Sequence, residues 1–243
     1  MAKVVNPKEE WFWDEEIVDS YESWYEGKGR RADRLEKAVL SLLMRDFGPV
    51  ESLVEVGCGT THFTRYFESL GLECKGYDLS PKMLNVAHKL WDGELIRGDS
   101  AHLPFRDNSF DLVAYVTCLE FMPRPLQVLK EGARVARRGL VVGLMNRYGV
   151  STIRRKIQVR FGKNPFYKHA HFFSLKEIRS LLREAVGREP NMDWRATILP
   201  RLLGDRITKV PIGDFLGIAV KLNKEENPSS YGHEATPRPL PGL

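Results

Sequence analysis

Short apolar runs alternate with amphipathic segments through the middle of the chain, beginning near residue 52. Continuous apolar runs are typical of strands buried on both faces of a parallel sheet, whereas the segments between them have helical spacing. The pattern predicts strands at 53–56, 73–77, 94–97, 110–116 and 140–144, with helices at 61–70, 82–90 and 125–136. Repeated strand and helix units of this kind predict a doubly wound α/β domain.

The chain before this core predicts two helices, because apolar residues recur there at spacings of three and four. The first stripe contains Trp13, Ile17, Tyr21 and Trp24, and the second contains Leu35, Val39, Leu42 and Leu43. Gly27 and Gly29 separate the two helices. We expect the aromatic stripe of the first helix to pack in the core.

The chain after residue 146 predicts a basic amphipathic helix at 150–160 and then a capped helix. Ser174 followed by Glu177 matches a capping box. Extended stretches at 192–199 and 214–222 have no obvious helix between them, so we expect an antiparallel hairpin at a sheet edge. The last twenty residues, 224–243, contain four prolines and predict a solvated tail.

No linker divides the chain, so we expect one domain over residues 1–223 followed by the tail. Its expected parts are N-terminal helices (1–48), a ligand-binding core (49–146), a basic insert with a helix (147–190) and the hairpin (191–223).

Composition narrows the class of protein. A chain of 243 residues that is 42% hydrophobic and 28% charged can bury a full core, which excludes disorder as its main state. Three widely spaced cysteines predict no disulfide framework and favour a reducing compartment. Acidic residues precede any apolar run, and no segment is apolar enough to cross a membrane. We therefore expect a cytoplasmic protein with no integral membrane association.

The net charge of +5 is unevenly distributed along the chain. Residues 132–176 contain eleven Lys or Arg residues and no Asp or Glu, and without them the rest of the chain carries −6. Such a segment suits a solvated face, an anionic small molecule, an RNA backbone or a membrane surface that presents a lipophilic molecule.

A glycine-containing turn, residues 55–60, joins the first predicted strand to the first helix of the core. Doubly wound folds bind their ligand at this position, because glycine admits the ligand to the backbone and the helix N-terminus offers N–H groups to an anion. Asp78 ends the second strand about twenty residues later, where a carboxylate can accept both ribose hydroxyls. Asp99 follows the third strand and could accept the exocyclic amine of adenine.

His62 stands where a dinucleotide site has its third glycine, which disfavours a pyrophosphate. A ligand with ribose and adenine but no pyrophosphate fits better, and S-adenosylmethionine is such a ligand. A nicotinamide dehydrogenase remains the less favoured alternative.

Four motifs carry a resemblance to a known family: LVEVGCGT (53–60), GYDLSPKML (76–84), GDSAHLPF (98–105) and SFDLV (109–113). In this order and spacing, residues 50–146 resemble class I S-adenosylmethionine-dependent methyltransferases, in particular the ubiquinone and menaquinone biosynthesis (type 11) group. The resemblance implies a Rossmann-like, mostly parallel seven-stranded sheet whose last two strands form the C-terminal hairpin.

The resemblance also implies roles for individual residues. Gly57 and Gly59 would border the methionyl group of the cofactor, and Tyr21 would reach its carboxylate. Asp78 would hold the ribose, and Thr117 would contact the cofactor through its backbone. Leu79 and Met83 would flank the adenine, and Asp99 with Ser100 or Ala101 would bind its edge. Glu55, Cys58 and Thr60 complete the predicted cofactor site as members of the turn.

The methyl acceptor is expected beyond the fourth strand, where Glu120 could take a proton from a hydroxyl or amine or could be a solvated loop residue. His169 and His171 are expected at the acceptor mouth, and with no Cys or acidic partner beside them we predict no metal site. The favoured function is methyl transfer to an anionic or lipophilic small molecule. RNA methylation through the face at 132–176, or non-catalytic binding of an adenosyl ligand, are the alternatives.

Overall fold

The computed structural model of the protein describes residues 12, 14–163, 165–198, 200, 202 and 204–222. The predicted Pro-rich tail and Trp13 lie outside these residues. The strands are β1 (Ser52–Val56), β2 (Glu73–Asp78), β3 (Glu94–Arg97), β4 (Phe110–Val116), β5 (Ala136–Met145), β6 (Asn191–Thr197) and β7 (Phe215–Lys221). The helices are α1 (Glu15–Glu26), α2 (Arg30–Met44), α3 (His62–Ser69), α4 (Pro81–Leu90), α5 (Pro125–Val135), α6 (Val150–Arg160) and α7 (Leu175–Val186).

The seven strands form one sheet in the order β3-β2-β1-β4-β5-β7-β6. Neighbours among the first five strands run parallel, and β7 is antiparallel to both β5 and β6. This arrangement confirms the predicted doubly wound sheet and its C-terminal antiparallel pair. The strand order reverses between β1 and β4, which is the point where such sheets bind ligands.

Strand β4 is buried along its whole length, and its side chains alternate between two apolar layers. Leu112 and Ala114 pack in the layer that contains residues of α2 and α3, whereas Val113 and Tyr115 pack in the layer that contains residues of α5 and α7. Both faces of the sheet are therefore covered, as the continuous apolar strands predict.

Several local predictions agree closely with the structure. The Ser80 hydroxyl accepts a hydrogen bond from Met83 N–H, with Pro81 in the first turn of α4. Ser174 and Glu177 form the predicted capping box at the start of α7. Strand β5, however, begins at Ala136 rather than near residue 140. The apolar pattern does not reveal the first residues of β5, because Arg137 makes this segment polar. The Arg137 guanidinium lies 3.4 Å from the Asp111 carboxylate.

Helix α1 buries only part of the predicted aromatic stripe. Tyr21 packs against the apolar layer that contains residues of α2 and α3. Val18 and Tyr25 are buried, whereas Trp24 is 40% exposed. The Trp24 ring lies against Gly29, where an added Cβ would come within 2.3 Å of the indole. The expectation of a core position for Trp24 is therefore wrong, because the glycine leaves room for the ring to fold over the connection between α1 and α2.

Candidate active site

A cavity of about 1000 Å³ opens at the carboxyl ends of the parallel strands. Its walls come from α1, the turn after β1, the ends of β2 and β4, and α7. The cavity brings together twelve of the residues predicted to form the site: Tyr21, Glu55, Gly57, Cys58, Gly59, Asp78, Leu79, Met83, Asp99, Ser100, Thr117 and Glu120. Thr60 and Ala101, also predicted, are buried and are not among the lining residues.

The turn after β1 approaches the opposite wall closely. Gly57 has a φ of 77°, and a Cβ added there would lie 2.7 Å from Cys118 Cβ. The N–H groups of Gly57 and Cys58 donate to the Tyr77 carbonyl at 2.7 and 3.2 Å. The backbone therefore requires glycine at position 57 both for its dihedral angle and for the space beside Cys118.

One backbone N–H at the N-terminus of α3 is already used within the protein. The Glu55 carboxylate accepts from the Thr64 hydroxyl at 2.5 Å and also from the Thr64 backbone N–H, in the first turn of α3. A buried carboxylate thus lies beside the first turn of α3, where negative charge is favoured. Burial raises the pKa of Glu55 to about 8.

Asp78 connects the end of β2 to the glycine turn. One carboxylate oxygen accepts from Gly59 N–H and the other from Ser80 N–H, both at 2.8 Å. Burial raises the pKa of Asp78, although these hydrogen bonds oppose the shift. Leu79 N–H also donates to this carboxylate. Because a carboxylate has about four acceptor sites, the group can still accept a hydrogen bond from a ligand in the cavity.

The predicted adenine end of the cavity combines an apolar surface with a paired acid. Leu79, which is 39% exposed, and Met83 line it. Asp99 pairs with Arg124 at 2.5 Å and accepts from Ala101 N–H at 2.9 Å. The Asp99 carboxylate therefore has partners before any ligand binds, and the Ala101 N–H is already used.

The Thr60 side chain contacts helix α1 and does not line the cavity. Its hydroxyl donates to Glu22 at 2.5 Å, and Arg65 donates to the same carboxylate at 2.7 Å. Burial alone would raise the pKa of Glu22, but hydrogen bonds from His62, Thr60 and Arg65 lower it to about 2. These contacts hold α1 against the glycine turn.

His62, the residue that departs from the dinucleotide pattern, joins the N-terminal helices to α3. Its Nε2 lies 2.6 Å from Asp33 of α2, and its ring stacks on Tyr25 of α1 with centroids 3.6 Å apart. A glycine could make neither contact. The hydroxyl of Tyr21, one turn earlier on α1, lies 3.2 Å from that of Tyr25, and both tyrosines line the cavity.

Glu120 follows β4 in a single helical turn, Leu119–Phe121, and is 1% exposed. One carboxylate oxygen accepts from Met145 N–H at 2.5 Å, while Oε2 is buried with no hydrogen-bond partner among the described residues. Burial raises the pKa of Glu120 to about 7. The alternative of a solvated loop carboxylate is therefore wrong.

Aromatic side chains surround this end of the cavity. Phe121 stacks on Tyr167 at 6.3 Å and meets Phe166 edge-on at 6.0 Å. Cavity-lining His171 donates its backbone N–H to the Glu120 carbonyl at 2.7 Å, which holds the histidine segment to the single helical turn. His169 also lines the cavity, so both predicted histidines lie there.

Two features of this region were not predicted from the sequence. Glu36 of α2 is buried, and burial together with the charges of Asp33 and Glu120 raises its pKa to about 8. Its position one helical turn before Leu40 places it on the buried face, and this spacing is the only signal that could have found it. The ion pair of Arg124 with Asp99 has no local sequence pattern, because 25 residues separate the partners.

Two further properties concern the described residues only. No group of three or more His, Cys, Asp or Glu side chains among them could hold a metal ion. No helix in the same ranges is long and apolar enough to span a bilayer.

Comparison with known proteins places these features in a family context. Residues 54–142 match the family model described as a methyltransferase domain. The chain is 27% identical over 205 residues to MJ1123, an uncharacterised protein of Methanocaldococcus jannaschii, covering 84% of this chain and 92% of that protein. It is 40% identical over 101 residues to the demethylmenaquinone methyltransferase of Lysinibacillus sphaericus, covering 39% of this chain and 43% of that enzyme.

A crystal structure from Thermotoga maritima, described as a SAM-dependent methyltransferase and possible histamine N-methyltransferase, superposes with a TM-score of 0.73. The two chains are 26% identical, and the match covers 87% of this chain and 98% of that one. The match to this structure therefore covers most of both chains, whereas the match to the demethylmenaquinone enzyme spans less than half of that enzyme.

Proposed function

The chain belongs to the class I S-adenosylmethionine-dependent methyltransferases of the type 11 group, and from this premise we propose that it methylates a small molecule bound beside Glu120. The observation that carries the proposal is the set of acidic side chains that line the cavity. Five carboxylates line it, from Glu55, Asp78, Asp99, Glu120 and Glu177, and Arg124 is the one Lys or Arg among its described lining residues.

This charge pattern fits S-adenosylmethionine, which carries a cationic sulfonium and an ammonium group. Burial without a nearby cation raises the pKa of Glu55 to about 8 and also raises that of Asp78. A cationic ligand would favour the ionised form of both groups. A pyrophosphate is disfavoured, because it would bring more negative charge to the first turn of α3, where the Glu55 carboxylate already lies.

The residues that would hold the cofactor follow from the walls of the cavity. Gly57 and Gly59 would admit its methionyl end, with Tyr21 on the facing helix. Asp78 would accept from the ribose with the acceptor capacity that Gly59, Ser80 and Leu79 leave free. The adenine would lie against the apolar surface that Leu79 and Met83 form. Asp99 and Ser100 would lie at its edge, with the Thr117 backbone nearby.

When bound, S-adenosylmethionine supplies an electrophilic methyl group whose positive charge is neutralised as the methyl leaves sulfur. The chain's own task is then to align the acceptor and to remove its proton. Glu120 has the right position for proton removal, because Met145 N–H fixes one carboxylate oxygen and the other has no hydrogen-bond partner in the described part of the chain. An acceptor with an N–H or O–H nucleophile would donate its proton to Oε2.

The names of the relatives do not select one acceptor. One names a demethylated quinone and the other names histamine. The aromatic wall around Phe121 and the buried acid Glu120 suit an acceptor that combines a flat apolar part with a proton-bearing nucleophile.

Calorimetry with S-adenosylmethionine and S-adenosylhomocysteine, followed by a screen of metabolite extracts with a labelled methyl donor, tests the proposal. We expect both adenosyl ligands to bind and label to pass to a small molecule. Absence of binding to the full chain would overturn the proposal, and so would binding without transfer to any extract fraction, which would favour a non-catalytic sensor.

A further inference from the structure

Helix α6 presents an apolar stripe to solvent. Its members are exposed by 49 to 70% and follow one another at spacings of three and four residues: Val150, Ile153, Ile157 and Phe161. Tyr148, just before the helix, is 61% exposed. Exposed large apolar residues are common singly, but a continuous row along one helix marks an interaction surface.

The opposite side of α6 is polar and faces the protein. Thr152 is buried, and Ser151 donates from its N–H and its hydroxyl to Asp214 at 2.7 and 2.5 Å. The Arg155 guanidinium lies 4.8 Å from the centre of the Tyr167 ring and 3.2 Å from Met145 sulfur. The helix is thus amphipathic in the reverse sense of an ordinary surface helix, with its apolar face outward.

Basic residues flank the exposed stripe, and the chain from 147 to 176 has no acidic residue. Arg154, Lys156, Arg160 and Lys163 are exposed. Long Lys and Arg side chains can extend their charges sideways while an apolar stripe between them is buried. The partner of this surface must therefore be apolar along a line and negatively charged on both sides of it.

We propose that α6 docks the protein peripherally on an anionic lipid bilayer, with Val150, Ile153, Ile157 and Phe161 entering the headgroup boundary. A bilayer supplies acyl chains and anionic headgroups together along the whole helix. An RNA backbone supplies the charge but no partner for aliphatic side chains. A second copy of the chain would bring two basic stripes together, which like charges oppose.

Docking in this orientation also places the cavity near the membrane. The inner side of α6 contacts Tyr167 through Arg155, and Tyr167 stacks on the cavity-lining Phe121. A lipophilic acceptor could then reach the cavity from the bilayer surface. This last step rests on the proposed function, whereas the docking itself does not.

Cosedimentation with vesicles tests the docking. We expect the full chain to bind vesicles of phosphatidylcholine with about one quarter phosphatidylglycerol, to bind pure phosphatidylcholine at least tenfold more weakly, and to dissociate as salt rises. The combined variant Ile153→Ser, Ile157→Ser, Phe161→Ser should lose at least tenfold in partitioning. Leu202→Ser is the matched control, because Leu202 is 99% exposed elsewhere and should leave partitioning unchanged.

Several results would overturn the docking. The docking would be contradicted if the protein did not bind anionic vesicles, or if the triple variant bound them as well as the wild type. Other contradicting results are retention of labelled RNA, or dimerisation that the triple variant abolishes, in place of vesicle binding. Calorimetry with S-adenosylmethionine separates this proposal from the methyltransferase activity, since the triple variant should bind the ligand like the wild type whether or not it binds vesicles.

Discussion

The N–H of Gly59 donates a hydrogen bond to Asp78 Oδ2 at 2.8 Å, so one carboxylate joins the turn after β1 to the end of β2. The same carboxylate accepts from Ser80 N–H and thereby supports the start of α4. The residue expected to hold the ribose therefore also shapes the surface on which the cofactor would lie.

Replacing Asp78 with alanine should weaken S-adenosylmethionine binding by roughly 1–3 kcal/mol, because charge-assisted hydrogen bonds to the ribose are lost and the turn loses an acceptor. Calorimetry measures the change in Kd. The exposed acid Asp92 provides a control, and Asp92→Ala should bind like the wild type. An Asp78→Ala affinity within twofold of the wild type would contradict the assignment.

Gly57→Ala should lower stability and abolish measurable cofactor binding. A Cβ at position 57 meets Cys118 at 2.7 Å, in addition to the cost of about 1–2 kcal/mol for a non-glycine residue with positive φ. Gly187 is a close control, because its φ is 74° and its added Cβ meets nothing within 4 Å. Gly187→Ala should show only the backbone cost in chemical denaturation, and equal losses for the two variants would argue against the steric explanation.

Much of the fold could be predicted because its signals are local. Apolar runs located β3 and β4 to the residue, and the N-cap residues Ser80 and Ser174 located the starts of two helices. The burial of α1 could not be predicted in the same way. Its buried face depends on how Trp24 fits over Gly29, which is a contact between two elements.

The candidate site also combines features that the sequence predicts with features that depend on long-range contacts. The acids at successive strand ends could be placed from topology, since parallel strands bring their carboxyl ends to one edge. Long-range pairings could not be foreseen: Glu22 with Thr60, and Arg124 with Asp99. Nor does the sequence indicate that the Glu55 carboxylate would accept a hydrogen bond from Thr64 in the first turn of α3.

Stability should fall as pH rises from about 4.5 to 8. Burial, together with the charges of Asp33 and Glu120, raises the pKa of Glu36 to about 8, so the folded chain binds more protons than the unfolded chain in this window. Each such group lowers the free energy of unfolding by at most about 1.4 kcal/mol per pH unit. Glu55 and Glu120 act in the same direction, because burial raises their pKa values also.

Glu36→Gln should therefore have a shallower pH dependence than the wild type and should gain relative stability at pH 8. Urea unfolding at several pH values measures this difference. The exposed Glu73 supplies the control, since Glu73→Gln should follow the wild-type curve. Parallel curves for Glu36→Gln and the wild type would show that Glu36 is ionised in the folded state.

Glu120→Gln should reduce kcat by roughly 10²–10⁴-fold, the usual contribution of a general base. In the wild type, kcat should rise with pH as the carboxyl ionises, with a midpoint near the pKa of about 7 that burial gives Glu120. The variant should lose this dependence while its affinity for S-adenosylmethionine stays within about twofold. A pH profile that is the same in both proteins would remove Glu120 from proton transfer.

Helix α1 forms one wall of the cavity, and its attachment to the rest of the protein should control how fast a bound cofactor leaves. Tyr21 and Tyr25 face the cavity, while Glu22 on the same helix is held by Thr60 and Arg65. Ligand exchange through this wall requires those contacts to break together, as in a local unfolding event. We therefore expect the residence time of bound cofactor to depend on how fast the twelve-residue helix α1 detaches. Weakening the Glu22 contacts should shorten this residence time more than it changes the association rate.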